Sequence, residues 1–313
     1  MENKTLIDWL VEGDVSIQYQ TQRDLLDSDR IQLQKKIANQ GWGAELLAKR
    51  NKNGHWGRGF YQPKWISTHY TLLDLRNLNI AVNIREIHQT LALIFRHEKG
   101  GDGGINPGKT INNSDACING MVLNYASYFN VQEKDLVSLI DFLLSQQLSD
   151  GGFNCQYNRK GAVHSSLHTT LSIAEGIHEY LKNGYTYKKA ELTKIQADCH
   201  EFILRHRLYK SDKTGEIINK KFLMLPYPPR WYYDILKALD YFQYAGLAYD
   251  SRMDGAIEVI LKKQRKDGKW PIQAKHPGQT HFDMEQAGTA SRWNTLRVLR
   301  IFRHFHINTK NKE

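Results

Sequence analysis

Residues 281–285 read His-Phe-Asp-Met-Glu, so His281, Asp283 and Glu285 alternate along the chain. In an extended segment they share one face. Two carboxylates beside an imidazole suit general acid–base chemistry, because repulsion between like charges drives their pKa values apart. The same residues also fit a plainer role, a hydrogen-bonded loop that anchors the last helix and pairs with Arg292. A second set joins cations to aromatic rings: Lys64-Trp65, Arg230-Trp231-Tyr232 and Arg292-Trp293-Asn294. At helix N-termini these cations add to the partial positive charge of the helix end and attract an anion. A tryptophan that recurs at one repeat position also fits a core. The cysteines, Cys117, Cys155 and Cys199, are odd in number and too few for a disulfide framework. They read as reduced thiols, packed as small hydrophobes or acting as ligands, with Cys199 on an outer helix reading as packing.

The elements that must position these residues form a repeat. Each unit has an outer amphipathic helix, a polar glycine turn, a loop and an inner helix rich in aromatic and small residues. GWGAELLAKR leads through KNGHWG to KWISTHYTLLDLRNL, and NIREIHQTLALIFRHE through KGGDGGIN to SDACINGMVLNYASYF. KDLVSLIDFLLSQQ leads through SDGGFN to HSSLHTTLSIAEGIHEYL, and ELTKIQADCHEFILRHRL through KTGEI to PRWYYDILKALDYF. GAIEVILKKQ leads through KDGKWP to SRWNTLRVLRIF, and TLIDWLVEGD with SIQYQTQRDLL supplies a sixth pair. The DGG and DGK turns follow from chemistry: aspartate accepts backbone N–H bonds, and glycine takes positive φ without a steric penalty. Strand signals are sparse, limited to segments such as GEIINKKFLMLPYP. The first and last helices keep apolar stripes, whereas an open solenoid needs polar caps. The expected fold is therefore an all-α, closed α/α toroid in a single domain over 1–313. Residues 1–40 close the ring, 41–305 carry the repeats and 306–313 form a tail.

Composition narrows the function class. Hydrophobic residues make up 41% of 313, and no window approaches a membrane span. The N-terminus MENKTLIDWLVEGD is too polar and acidic for a signal peptide or presequence, so a cytoplasmic protein is expected. Lysine plus arginine exceed aspartate plus glutamate by 43 to 33. No nucleic-acid-binding spacing accompanies that excess, so it reads as a diffuse basic surface. Peripheral membrane contact stays open.

The turns LSQQLSDGGFN and KKQRKDGKWP resemble the Q-x-x-D-G-x-W turns of squalene and oxidosqualene cyclases and the DGGF turns of protein prenyltransferase β subunits. SSLHTTLSIAEGI and PKWISTHYTLLDL look like the S/T-x-x-T-x-x-A-L-x-x-L segments of those families. The resemblance spans residues 40–305, and the full pattern is most like short bacterial squalene-cyclase-like proteins. It implies a terpenoid cyclase or prenyltransferase acting on an apolar or isoprenoid diphosphate substrate in a central cavity. Trp65, His69, Asn119, Cys155, Arg230, Trp231, Tyr232, Arg292, Trp293 and Asn294 are its implied substrate-binding residues. Where class II cyclases carry D-x-D-D, this chain has Asp115-Ala-Cys117-Ile118; a thiol is far too weak an acid to protonate an alkene, which disfavours proton-initiated cyclisation. The prenyltransferase pattern instead implies zinc on Asp115, Cys117 and His168, leaving an open position for a substrate thiol. Cys155 in place of Asp115 would resemble the zinc site of lanthionine cyclases, whose Cys-His-Gly signature is absent. Two other readings stand beside this one: a non-catalytic toroid that binds a ligand or protein, and a polysaccharide-active α/α-barrel enzyme with Asp283 and Glu285 as its acid/base pair.

Overall fold

The computed structural model describes residues 2–108, 112–273 and 275–307, so most of the expected 306–313 tail lies outside the described residues. In chain order the helices are α1 (Glu2–Val11), α2 (Val15–Leu26), α3 (Ile31–Lys36), α4 (Gly41–Ala48), α5 (Thr68–Asn77), α6 (Arg85–His97) and α7 (Ala116–Tyr128). They continue with α8 (Glu133–Ser145), α9 (Tyr157–Lys160), α10 (Leu167–Lys182), α11 (Lys189–Arg205), α12 (Ile235–Tyr244), α13 (Asp254–Lys262) and α14 (Arg292–His304). Among the described residues the strands are two residues each, Trp270–Pro271 paired antiparallel with Ala290–Ser291. The fold class is all-α, as expected. Two compact units make up the chain: one holds residues up to Ala48, Asn77–Ala81 and the chain from His206, the other Lys49–Arg76 and Val82–Arg205.

Outer and inner helices differ in what they bury. Outer α6 buries Ile87, Thr90, Leu91 and Ile94, the i, i+3, i+4, i+7 stripe of a surface helix. Inner α7 buries almost every residue from Ala116 to Ser127, as a helix enclosed on all sides must.

In the second unit, α7 crosses α10 at a pair of glycines. A Cβ on Gly176 would sit 2.3 Å from the Gly120 carbonyl oxygen, and one on Gly120 would meet the Ser172 carbonyl at 2.7 Å. Polar clamps tie the turns to the inner helices. The backbone N–H of Trp56 donates to Thr68 Oγ1 (2.9 Å), that of Ile105 to Asn119 Oδ1 (2.7 Å) and that of Phe153 to Thr170 Oγ1 (3.0 Å). The turn aspartates add a second tie. Asp102 accepts from the Ser114 N–H and hydroxyl at 2.7 Å each, and Asp150 from the Ser165 N–H (2.8 Å) and hydroxyl (2.5 Å). Gly151, at φ 91°, occupies the left-handed region this turn requires.

The first unit repeats the clamp once, from Trp270 N–H to Thr295 Oγ1 at 3.0 Å. Its helices α2, α12 and α14 are joined by buried charge. Arg300 forks onto Asp240 (2.5 and 2.6 Å) and reaches Asp24 (3.1 Å), while Arg297 meets the same Asp240 carboxylate at 3.0 Å. Burial opposes ionisation of Asp240, but these guanidiniums hold its carboxyl below the usual range.

The glycine crossing leaves no flexible group to yield, since the obstructing atom is backbone. Gly176→Ala is expected to destabilise the chain by about 2 kcal/mol, overpacking outweighing the gain in helix propensity. A lower urea midpoint with unchanged slope would show it; an unchanged midpoint would contradict the crossing.

Candidate functional site

The loop before α12 runs Leu-Pro-Tyr-Pro-Pro-Arg-Trp-Tyr-Tyr-Asp. Its prolines keep the chain out of a helix, so the α12 helix begins only at Ile235. Arg230 and Trp231 therefore lie in the loop, not at a helix start; Lys64-Trp65 likewise open a 3-10 turn ahead of α5. Only Arg292-Trp293 open their helix as the sequence suggested. Arg230 is 7% exposed and sits at φ 57°, a conformation a bulky residue adopts only when its surroundings impose it. Buried Lys237 donates from Nζ to the Arg230 carbonyl at 3.3 Å and holds the turn.

Beside this turn three rings stack. Tyr232 lies 4.0 Å from Trp231 and 3.9 Å from His276, both nearly parallel to it. Two rings at that distance cannot share one face, so Tyr232 is sandwiched between them. The His276 imidazole is brought down to about 4, first by burial and then by Arg230, Lys237 and Lys221, while the Pro229 carbonyl that accepts its ring N–H pulls the other way. The ring is therefore neutral at physiological pH, and its Nε2 is enclosed away from solvent. A neutral base held among cations is what proton abstraction next to a carboxylate requires. Buried Asp234 caps α12 by accepting the Lys237 N–H at 2.8 Å. Its carboxyl is raised to about 6 by burial, against the pull of Arg297 and Lys237.

The other basic-aromatic residues of this unit make contacts within the fold. Asn294 donates to the carbonyls of Leu225 and Pro271, both at 3.0 Å. Trp293 stacks on Tyr227 at 4.9 Å and on Trp42 at 6.1 Å. Arg292 lies over the Trp9 ring and donates to the Trp9 carbonyl at 3.0 Å. Glu285 caps α14, accepting from the Ser291 hydroxyl (2.5 Å) and the N–H of Arg292 (2.7 Å) and Trp293 (3.4 Å). Asp283 is an exposed partner of Lys275 at 2.5 Å, and His281 is half-buried in the same loop. The loop thus uses its two carboxylates for different tasks, capping and surface pairing.

In the second unit, Asp115 is the N-cap of α7 and Cys117 stands in its first turn. Cys155 follows the DGG turn and is held to α10 by its N–H on Thr169 Oγ1 at 3.3 Å. The Cys117 and Cys155 thiols act on one another's titration, and Asp115 and Lys64 act on the same group. Cys155 is brought down to about 6, first because the Cys117 S–H donates to its sulfur; the Thr169 hydroxyl adds a donor, against burial and Asp115. Cys117 is correspondingly pushed well up. His168 is half-buried in the first turn of α10, its carbonyl accepting the Ser172 hydroxyl at 3.0 Å. Among the described residues no three His, Cys, Asp or Glu side chains gather to hold a metal ion, those of Asp115, Cys117 and His168 included.

His69 is fully buried, brought down to about 3 by burial first and Lys64 second, with Nδ1 3.2 Å from the Tyr125 hydroxyl. Trp65 packs edge-on to Tyr70 at 4.8 Å. Asn119 bridges the Ile105 N–H and carbonyl, so its amide is part of a clamp. Sequence reasoning missed His276, Lys221, Lys237 and Asp234. Asp234 was visible as a capping residue ahead of an apolar run; His276 lies in KHPGQT, which carries no local signal.

No family model matches this chain and no curated protein matches it. Among solved structures it is similar to a polysaccharide lyase, with 12% identity, TM-score 0.43, and coverage of 79% of this chain and 74% of that one. The terpenoid-cyclase and prenyltransferase resemblance, with its apolar isoprenoid substrate, is corrected accordingly: the comparisons return a polysaccharide lyase where that resemblance led to a cyclase or prenyltransferase. The residues that carried the resemblance, Thr68, Thr170 and the DGG turn, are clamp components, so they report how helices are joined. Among the described residues no helix is long and apolar enough to cross a membrane.

The folded protein holds the Asp234 proton more tightly than the unfolded chain does, whose carboxyl titrates near 4. This group therefore withdraws stability as pH rises from about 4 to about 6. Asp234→Asn, which keeps a capping oxygen, is expected to stabilise the chain by about 2 kcal/mol at pH 7 and to be near neutral at pH 4. Urea midpoints at the two pH values check the sign.

Proposed function

We propose that this chain is an enzyme acting on an anionic polysaccharide, cleaving it by β-elimination next to a uronate unit at the Arg230–Trp231–Tyr232–His276 cluster. One observation carries the reading: a half-buried imidazole stacked on Tyr232 and Trp231, kept neutral first by burial and then by the cations around it. The cations supply the attraction for a carboxylate, and the exposed edge of the stack offers an apolar surface to the C–H face of a sugar ring.

The chemistry follows from the charges. Arg230 and Lys221 meet the uronate carboxylate and take up the negative charge that develops on its oxygens as the α-proton leaves. His276 accepts that proton at Nε2, which is enclosed in the substrate-free chain and has to be uncovered when substrate binds. The C–H electron pair becomes the new C=C bond, the β C–O bond breaks, and the departing oxygen is protonated by solvent or the Tyr232 hydroxyl. Lys237 positions Arg230 through the Arg230 carbonyl. Asp283 and Glu285, the acid/base pair of the sequence-level polysaccharide reading, take no part in this scheme, because Glu285 is a helix cap and Asp283 a surface ion-pair member.

A panel of polyuronates followed by the ultraviolet absorbance of an unsaturated uronide tests the proposal. His276→Ala is expected to lower kcat by about 100-fold or more while substrate still binds. Arg230→Ala is expected to raise KM and to weaken the salt dependence of binding. Because His276 must be neutral, kcat/KM is expected to fall only below a pH of about 4 on the acid side. Polyuronate binding with no unsaturated product would leave a binding module, and no binding at all would overturn the reading.

A further inference from the structure

In the second unit the turn glycines Gly54, Gly103 and Gly151 lie against Leu93 of α6, Ser138 of α8 and Asp198 of α11. Where Gly54 meets α6 there is a groove of about 390 Å³. Its helix wall is Gln89, Ala92, Leu93 and Arg96, an i, i+3, i+4, i+7 strip beside the buried stripe of α6. The turn brings Arg50, Lys52 and Asn53 to the same groove. Among the described residues these three cations line it with no carboxylate, and none of the three makes an ion pair.

Arg50 has a fixed direction. Its Nε donates to the hydroxyl of fully buried Thr90 at 2.9 Å, and that hydroxyl donates in turn to the Gly54 carbonyl at 2.7 Å. A Cβ on Gly54 would come within 2.7 Å of Leu93 and 3.2 Å of Arg50 Nη2, so glycine, at φ 88°, gives the guanidinium room across the turn. With Nε committed, the two terminal nitrogens keep the paired donors that fit two oxygens of an oxyanion. The groove between the DGG turn and α11 is the contrast. There Lys194 pairs with Asp198 at 2.9 Å, Arg205 donates to the Asp150 carbonyl at 2.7 Å, and Glu201 also lines the wall.

We propose that the groove between Gly54 and α6 binds a soluble phosphate monoester of a sugar or polyol. Such an ester carries nearly two negative charges at neutral pH and three acceptor oxygens, which matches three cations better than a single carboxylate or sulfate ester does. The volume falls in the ~300–1,000 Å³ range of small-molecule sites, leaving room for an organic body beside the phosphate. Gln89 and Asn53 offer hydrogen bonds to its hydroxyls, and Ala92 and Leu93 a surface for its C–H groups. None of the large apolar side chains exposed among the described residues lines the groove, so a free ester fits it better than a lipid headgroup. The site shares no residue with the His276 cluster.

Calorimetric titration of the whole chain with glucose 6-phosphate at a pH of about 7.5, where the ester is a dianion, tests the proposal. One site is expected, weakening as salt is added. Arg50→Gln is expected to weaken binding about tenfold, and Lys52→Gln and Arg96→Gln about threefold each. Glucose 6-sulfate, with one charge fewer, is expected to bind about fivefold more weakly, and glucose not at all. Arg230→Ala is expected to leave this binding unchanged, which separates it from the proposed elimination site. No binding of the phosphate ester, binding that the three groove variants do not alter, loss of binding in Arg230→Ala, or equal binding of the sulfate ester would each overturn the proposal. So would capture by phosphatidate-containing vesicles without binding of the free ester. Lys52 and Arg96 are exposed, so their variants keep the test valid even where Arg50→Gln misfolds.

Discussion

Where a glycine turn runs onto an inner helix, a backbone N–H is buried beyond the reach of water, and everything downstream depends on giving it an acceptor. The N–H groups of Trp56, Phe153 and Trp270 go to the hydroxyls of Thr68, Thr170 and Thr295, and that of Ile105 to the Asn119 amide. Leaving such a group unpaired costs about 1–3 kcal/mol, a large part of the stability of a domain. The side chain that accepts sits in the first turn of the following helix, so meeting the hydrogen-bond requirement also sets where that helix starts. Asp115 and Cys117, and the Cys155 loop with Thr169, are placed by the same device.

This explains what could be read from the sequence and what could not. The alternation of outer and inner helices, their rough limits and the turns between them were legible, because apolar periodicity and D-G turns act over a few residues. The clamps were not, because donor and acceptor are separated by 12 residues at Trp56, 14 at Ile105, 17 at Phe153 and 25 at Trp270, with a loop of different length each time. Thr68 and Thr170 therefore look like a family signature while acting as joinery. Placing Arg230 and Trp231 at the start of a helix failed for a local reason: two prolines and a left-handed Arg230 delay that start until Ile235.

Site residues were harder to read than elements because burial, not residue type, decides what a charge does here. Asp240 and Asp234 are carboxylates six residues apart in sequence, Asp234 fully buried and Asp240 mostly so. The forked Arg300 and a single bond from Arg297 keep Asp240 ionised, whereas Asp234 receives a backbone N–H and cations that are not hydrogen-bonded to it, and burial prevails. His276 shows the reverse sign of the same effect, since burial and cations both disfavour its charged form. No spacing rule brings His276 to Tyr232; the loop carrying it is drawn in by Gln273, whose N–H meets the Leu225 carbonyl at 3.0 Å and whose side chain accepts from Leu225 N–H at 3.1 Å.

Residue type and order can match one chemistry without the geometry for it. A catalytic zinc site needs three deprotonated donors converging on one point, each turned towards the ion. Asp115, Cys117 and His168 have the right types and occupy the starts of adjacent inner helices, yet no such group gathers among the described residues. What α7 and α10 share is a close backbone approach set by Gly120 and Gly176, because any side chain there would force the two helices apart.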